Sequence, residues 1–288
     1  MNILNEIAEK TRERIAEEKR GLPLAELKAR IRELEHQQGR QPEPEAFPFR
    51  KALAAPGMSY ICEVKKASPS KGLIAPDFPY LEIAREYEQA GASAISCLTE
   101  PCYFQGSGQY LKEIAETVKL PVLRKDFVTE EYMVYQARAL GASAVLLICA
   151  LLDAGELKAC RELAEELGMD ALVEAHDEGE VEQALKAGAR IVGVNNRDLR
   201  TFEVDMQNSV RLRKLAPKEV LFVSESGIRE PEDIRILREN GVDAVLIGET
   251  LMQSPDKMAA LEKLNGGPLE GFGSRTGCLP GAAGRRTE

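Results

Sequence analysis

The sequence predicts an α/β protein, an eight-stranded parallel (β/α)8 barrel with a helical extension at its N-terminus. Three observations carry that reading. First, one unit recurs: EQAGASAISCL (88–98), RALGASAVLLI (138–148), LKAGARIVGVN (185–195) and RENGVDAVLIG (238–248) each read as a helix end, a glycine and an apolar strand. The glycines suit the left-handed position that stops a helix, and short runs rich in Val, Ile and Leu suit parallel strands covered on both faces. Second, other strand-like runs alternate with these units at even spacing. Third, unusual polar residues collect at the carboxyl ends of the strands and not at their starts.

Taken in order, residues 1–48 are expected to form the helical extension. Ile3, Ile7 and Ile15 share a face of one helical pattern, and Leu24, Leu27, Ile31 and Leu34 share a face of a second. Both should pack on the barrel as a cap over its bottom or its rim. QGRQPEPEAFPF (38–49) reads as a Pro-broken connector. The barrel is expected over residues 49–265. Its first strand is MSYICEV (58–64), and LPVLRKDF (120–127), MDALVEA (169–175) and KEVLFVSE (218–225) complete eight strands with the four repeat units. Helical patterns fill the gaps, among them YLEIAREYEQA (80–90), EEYMVYQARAL (130–140), AGELKACRELAEEL (154–167) and EGEVEQALKA (178–187). A two-strand, two-helix unit of about 50 residues is close to a quarter of a TIM barrel of roughly 250 residues. An open doubly wound sheet is the runner-up. It fits less well because the spacing is even throughout and no GxGxxG follows the first strand. The tail 266–288 is rich in Gly and small residues, lacks periodicity and is expected to be disordered.

Composition bounds the function. The 288 residues are 44% hydrophobic and 30% charged, with a formal net charge of −9. Such an acidic chain is a poor general binder of nucleic acid or membrane surfaces, yet it can hold a local basic pocket for an anionic small molecule. The apolar run ASAVLLICALL (142–152) is about half the length a transmembrane helix needs. The N-terminus carries acids early and no apolar signal core. The six cysteines show neither a CxxC pair nor metal-ligand spacing, and Cys62, Cys97 and Cys149 sit in apolar runs. They read as reduced core thiols of a cytoplasmic protein. No metal site is expected.

The strand ends carry the chemistry. Strand one ends in Glu63 and Lys65, strand three in Arg124-Lys125-Asp126, strand five in Glu174 with His176 and Asp177 following. Strand six ends in Asn195-Asn196-Arg197-Asp198, strand seven in Ser224-Glu225-Ser226-Gly227 and strand eight in Gly248-Glu249. Residues two apart on a strand share a face, so Glu63 and Lys65 point together, toward the mouth, where Lys125 and Glu174 come within reach. Lysines and carboxylates in a partly desolvated pocket are how general acids and bases are set up. A structural ion-pair network is the plainer alternative; it leaves the gathering at one end unexplained. SESGI (224–228) and LIGE (246–249) suggest a phosphate site, with Gly227 and Gly248 letting backbone approach an oxyanion and Ser68 adding a hydroxyl. Two tight turns are the plainer reading. KKASPSKGLIAPDF (65–78) is long for its place, which suggests a mobile lid or else a solvated loop. Lys71 either closes over substrate or faces water. In LTEPCYFQGS (98–107), Tyr103 and Phe104 either line an aromatic wall or pack under the loop.

CEVKKASPSKG, LTEPCYFQGS, VLRKDF, LVEAHD, VGVNNRDL, SESGI and IGETLM, in this order, closely resemble the indole-3-glycerol phosphate synthase family of tryptophan biosynthesis. The resemblance runs from the N-terminal helices to about residue 264, and the ordered set is far more specific than any one motif. It implies conversion of 1-(2-carboxyphenylamino)-1-deoxyribulose 5-phosphate into indole-3-glycerol phosphate, with loss of CO₂ and water and no cofactor. It implies Lys125 as the main general acid, and Lys65 as the ligand of the anthranilate carboxylate with a part in a later proton transfer. Glu174 and Glu63 would handle dehydration and keep the lysines protonated. Asn195, Arg197, Glu225 and Ser226 would orient the substrate, with Asn195 and Glu225 counted among the catalytic groups. Ser68, Gly227 and Gly248 would hold the phosphate, with Glu249 contributing through its backbone, and Phe104 would pack on the aromatic ring. Cys62 stands where the family often has Ala, at a position expected to point away from the mouth. The expected partners are a phosphorylated small molecule, a second copy at most weakly, and other enzymes of the tryptophan pathway. Another phosphosugar barrel enzyme, such as an isomerase or a Schiff-base lyase, is the alternative. A non-catalytic barrel that binds a phosphorylated ligand is a more distant one.

Overall fold

The computed structural model describes residues 3–37, 47–198 and 201–269. Most of the expected connector (38–46) and most of the tail (270–288) lie outside the described residues, as does the side chain of Leu34. The chain opens with α1 (Ile3–Gly21) and α2 (Leu24–Gln37) and continues through α3 (Pro48–Leu53). Then come β1 (Ser59–Val64), a small hairpin of β2 (Ala67–Ser68) and β3 (Gly72–Leu73), and α4 (Tyr80–Gln89). From there strand and helix alternate: β4 (Ala94–Leu98), α5 (Gly108–Thr117), β5 (Val122–Lys125), α6 (Glu131–Ala139), β6 (Ala144–Ile148), α7 (Ala154–Glu166), β7 (Asp170–Ala175), α8 (Glu178–Lys186) and β8 (Ile191–Asn195). The last turn of the alternation is α9 (Gln207–Arg213), β9 (Leu221–Glu225), α10 (Pro231–Glu239), β10 (Ala244–Ile247), α11 (Glu249–Met252) and α12 (Lys257–Asn265).

The sheet closes in the order β1-β10-β9-β8-β7-β6-β5-β4, with every neighbouring pair parallel. The repeat has a common hydrogen-bond cause. Gly91, Gly141, Gly188 and Gly241 hold φ between +77° and +87°. The next amides, of Ala92, Ala142, Ala189 and Val242, return to the carbonyls of Tyr87, Ala137, Ala184 and Leu237 at 3.0–3.1 Å. Each unit therefore ends its helix with the same left-handed closure and feeds a strand directly.

Alternation along the strands divides the core in two. Cys62 and Val64 pack outward, between sheet and helices, with Cys97 and Cys149. Ile61, Leu123, Ala144, Leu172, Ile191, Val223 and Ala244 fill the barrel interior. The helices before β1 close both ends. Phe49 and Leu53 of α3 join the interior cluster from below. There the Arg50 amide donates to Asp170 Oδ2 (2.8 Å), and Ser59 Oγ donates to the Ala52 and Leu53 carbonyls. Leu4 of α1 joins from the other end. The cap is thus split between rim and bottom, and the connector yields to helix at Pro48, whose ring suits a first helical turn. Leu27 and Ile31 bury the inner face of α2. The start of the tail is also more ordered than its composition suggests. Asn265 Nδ2 donates to the Gly267 and Pro268 carbonyls, and Leu269 packs on the core beside Gly91. Among the described residues, no helix is long and apolar enough to cross a membrane.

Candidate active site

Past the apolar interior layers, the next inward positions on the strands are ionisable. Glu63, Glu174 and Glu225 are each at most 3% exposed. Three carboxylates there need cations, and the same strand ends supply two. Lys65 Nζ lies 2.7 Å from Glu63 Oε1. Lys125 Nζ donates to Glu225 Oε2 at 2.8 Å and to Glu174 Oε2 at 3.1 Å. Asn195 Nδ2 approaches Glu174 Oε1 at 3.4 Å, and its Oδ1 accepts the Arg197 amide.

The charges settle unequally. Burial opposes the Lys125 charge, but Glu225, Glu174 and Glu63 reverse it and hold the ammonium well above its ordinary range. Burial also opposes the Glu174 charge, and Lys125 and His176 override it, keeping this carboxyl below its usual value. Glu225 goes the other way. Burial drives its pKa up to about 7; Lys125 pulls it down, while Glu174 and Glu63 push it further up. Three carboxylates face two ammonium groups, the His176–Glu180 pair adding no net charge, so one negative charge is in surplus and Glu225 is the carboxyl that most readily takes a proton. Glu225 fits because residue 193 is glycine: a Cβ there would sit 2.3 Å from Glu225 Oε1.

The residues expected from the sequence all line one cavity at this mouth: Lys125, Lys65, Glu174, Glu63, Asn195 and Glu225, with Ser68, Phe104, Arg197, Ser226, Gly227, Gly248 and Glu249 around them. Gly248 is tight for a reason beyond phosphate approach. A Cβ there would lie 2.4 Å from Glu63 Oε1 and 2.8 Å from Lys65 Nζ. Gly227 combines φ +90° with a close approach to Val204, and Ser226 before it is left-handed too, at φ +68°. The stretch 65–78 carries its own hairpin, pairing Ala67 with Leu73 and Ser68 with Gly72. Lys71 reaches across to Glu249 at 3.3 Å, and Arg197 approaches the same carboxylate at 3.9 Å. Tyr103 and Phe104 part company: Tyr103 donates to Glu6 of α1 under Lys10, while Phe104 faces Phe127 in the cavity at 5.9 Å.

A family model for indole-3-glycerol phosphate synthase matches residues 4–264. The chain is 53% identical over 264 residues to the indole-3-glycerol phosphate synthase of Ruminiclostridium cellulolyticum, covering 92% of this chain and 99% of that one. It is 60% identical over 216 residues to the synthase of Endomicrobium trichonymphae, covering 75% and 84%. The chain belongs to the indole-3-glycerol phosphate synthase family. It is a carboxy-lyase of tryptophan biosynthesis that acts on a phosphorylated small molecule. Solved barrels share the fold at low identity. A tryptophan synthase α-subunit variant from Pyrococcus furiosus superposes with a TM-score of 0.55 at 14% identity, over 72% of this chain and 98% of that one. A 3-hexulose-6-phosphate synthase from Salmonella typhimurium gives 0.60 at 14%, over 73% and 97%.

For this family member the cavity also includes residues that sequence reasoning passed over. Ile3, Leu4 and Ile7 of α1 form its roof. That helix is pinned by Arg14, whose Nη2 donates to both oxygens of Asp126 at 3.0 Å beside Lys125. Phe127, Phe202 and Arg229 complete the wall. Phe127 was within reach of the strand rule, since it stands two residues beyond Lys125. Arg124 and Asn196, by the same rule, turn away from the mouth. Arg124 binds Asp126 and the Met133 carbonyl; Asn196 joins a buried network with Ser209 and Ser224.

Proposed function

We propose that this family member closes the indole ring of 1-(2-carboxyphenylamino)-1-deoxyribulose 5-phosphate at this cavity, with Lys125 as the principal general acid. The observation that carries the reading is the Lys125 ammonium, held 2.8 Å from Glu225 and 3.1 Å from Glu174 on the cavity floor. The attacking ring carbon is a weak nucleophile, so the ketone oxygen must receive a proton as the carbon–carbon bond forms. Lys125 delivers it, leaving a hydroxyl. Loss of CO₂ returns the bonding electrons to the ring and restores aromaticity. The hydroxyl then departs as water with a second proton, and a carboxylate removes a proton from the new ring. Glu174, the carboxylate kept ionised, suits that base. Lys65, backed by Glu63, binds the substrate carboxylate and shares the later proton transfer. Phe104 packs on the anthranilate ring, with Phe127 beside it. Ser68, Gly227 and the backbone at Gly248 and Glu249 receive the phosphate, while Asn195, Arg197 and Ser226 orient the sugar chain.

The five cysteines of the described residues are unpaired, which supports action in the reducing cytoplasm. A monomer or weak homo-oligomer, in reach of other enzymes of the pathway, fits the same reading. A continuous fluorescence assay for indole-3-glycerol phosphate tests it. Product is expected from the folded protein, and borohydride added during turnover should trap no lysine adduct. A trapped imine without indole product would favour a Schiff-base lyase instead.

A further inference from the structure

His176 stands outside the roles assigned so far, yet its ring is wedged between two carboxylates. On one side, Nδ1 lies 3.0 Å from Glu180 Oε2, and the same oxygen accepts the His176 amide at 2.7 Å. On the other, Nε2 is fully buried and makes no hydrogen bond among the described residues. It sits 3.4 Å from Glu174 Oε1. The backbone is fixed as well, because Asn208 Nδ2 donates to the His176 carbonyl at 3.0 Å. A neutral imidazole has one N–H and would turn a lone pair on one of the two carboxylates. Only the imidazolium presents an N–H on both sides, one hydrogen-bonded to Glu180 and the other set against the Glu174 charge at 3.4 Å.

We propose that His176 is a positioning residue through which Glu180 sets the charge and orientation of Glu174. The claim rests on the reading of Glu174 as the base of the reaction. Around the ring, Glu174 and Glu225 face it from β7 and β9, and Glu180 and Asp177 from α8 and its cap. Lys125 stands beyond Glu174, and Arg197 lines the same groove. Burial opposes the imidazolium, and Glu180, Glu174 and Glu225 together outweigh that, so its pKa is raised above the ordinary 6.5. The ring therefore keeps its proton through neutral pH more than a free histidine would. In its charged form the ring favours an ionised Glu174, which faces Lys125 and Asn195. The groove beyond, lined by Asp177, Glu180, Asp205 and Asn208, gives the ring a route for proton exchange with solvent.

The chain has two histidines, so imidazole NMR yields two titrations, separated by His36→Gln. The His176 signal should titrate above 6.5 and fall toward it in both Glu180→Gln and Glu174→Gln. Steady-state kinetics form the second arm. An asparagine keeps the Glu180 side of the contact but not the reach to Glu174; a glutamine keeps the reach. His176→Asn should lower kcat roughly tenfold to a hundredfold, as expected for removing a cation from beside a buried carboxylate, with KM little changed. His176→Gln should recover part of that loss. A His176 titration at or below 6.5, a titration indifferent to Glu174→Gln, or a wild-type kcat in His176→Asn would each overturn the proposal. The NMR arm needs no turnover, so it is separate from failure of the catalytic reading, which Glu174→Gln retaining full activity would show.

Discussion

Replacing Glu225 with glutamine should make the protein more stable and less active. The carboxyl is buried, and its pKa stands at about 7 against an ordinary 4.5. A group whose pKa is raised on folding gives its full stability below the unfolded value and loses it as pH rises to the folded one. For Glu225 that window runs from 4.5 to about 7. Glutamine does not ionise in either state, so Glu225→Gln keeps what the wild type loses. The gain should be near zero at pH 4, grow by about 1.4 kcal/mol per pH unit, and level off above pH 7 at about 3–4 kcal/mol. Glu174 has the opposite sign. Its pKa is lowered, so it adds stability above the ordinary carboxylate range and loses it as pH falls through the folded value. Glu174→Gln should therefore destabilise the protein at pH 7. Urea denaturation of the three proteins between pH 5 and 8 separates the cases. A Glu225→Gln variant less stable than wild type by the same amount at every pH would refute the charge count on which this rests. Turnover should drop in the same variant, because glutamine cannot take up or release a proton where Glu225 meets Lys125 at 2.8 Å. That would be a stability cost accepted for function.

Gly248→Ala should sharply reduce kcat/KM while the protein stays folded, since the new methyl would stand 2.4 Å from Glu63 Oε1 and force the Glu63–Lys65 pair aside. Wild-type kinetics in that variant would show that the pair has room to move. Arg14→Ala should cost about 1–3 kcal/mol in urea, as Asp126 loses one of its charged partners. It should also raise KM, because α1 roofs the cavity with Ile3, Leu4 and Ile7. Lys71→Ala should leave kcat within a few-fold and shift KM, because it frees Glu249 from an exposed contact at 3.3 Å.

The barrel was legible because its signal is local and repeated. Four helix-stopping glycines, each followed by an apolar run, recur in order, and each closes its helix with the same backbone hydrogen bonds. The inward set Glu63, Lys65, Lys125 and Glu174 was legible through the two-residue period and the position at strand ends. Contacts across long sequence separations were not. Nothing local to Ile3 or Leu4 says that α1 lies over the mouth; Arg14 reaching Asp126 from over a hundred residues away decides it. The protonation split between Glu174 and Glu225 was equally hidden, since Lys125 bridges both carboxylates and His176 stands beside Glu174. The order at Leu269 was masked by glycine-rich composition, because one apolar side chain packed beside Gly91 is invisible to a window average.

The role of Lys125 is tested most directly by single-turnover formation of indole-3-glycerol phosphate in Lys125→Ala, with substrate affinity measured in parallel. A positioned general acid contributes roughly 10²–10⁴-fold, so the rate should fall by that factor while affinity changes far less. A variant that turns over at close to the wild-type rate would contradict the account.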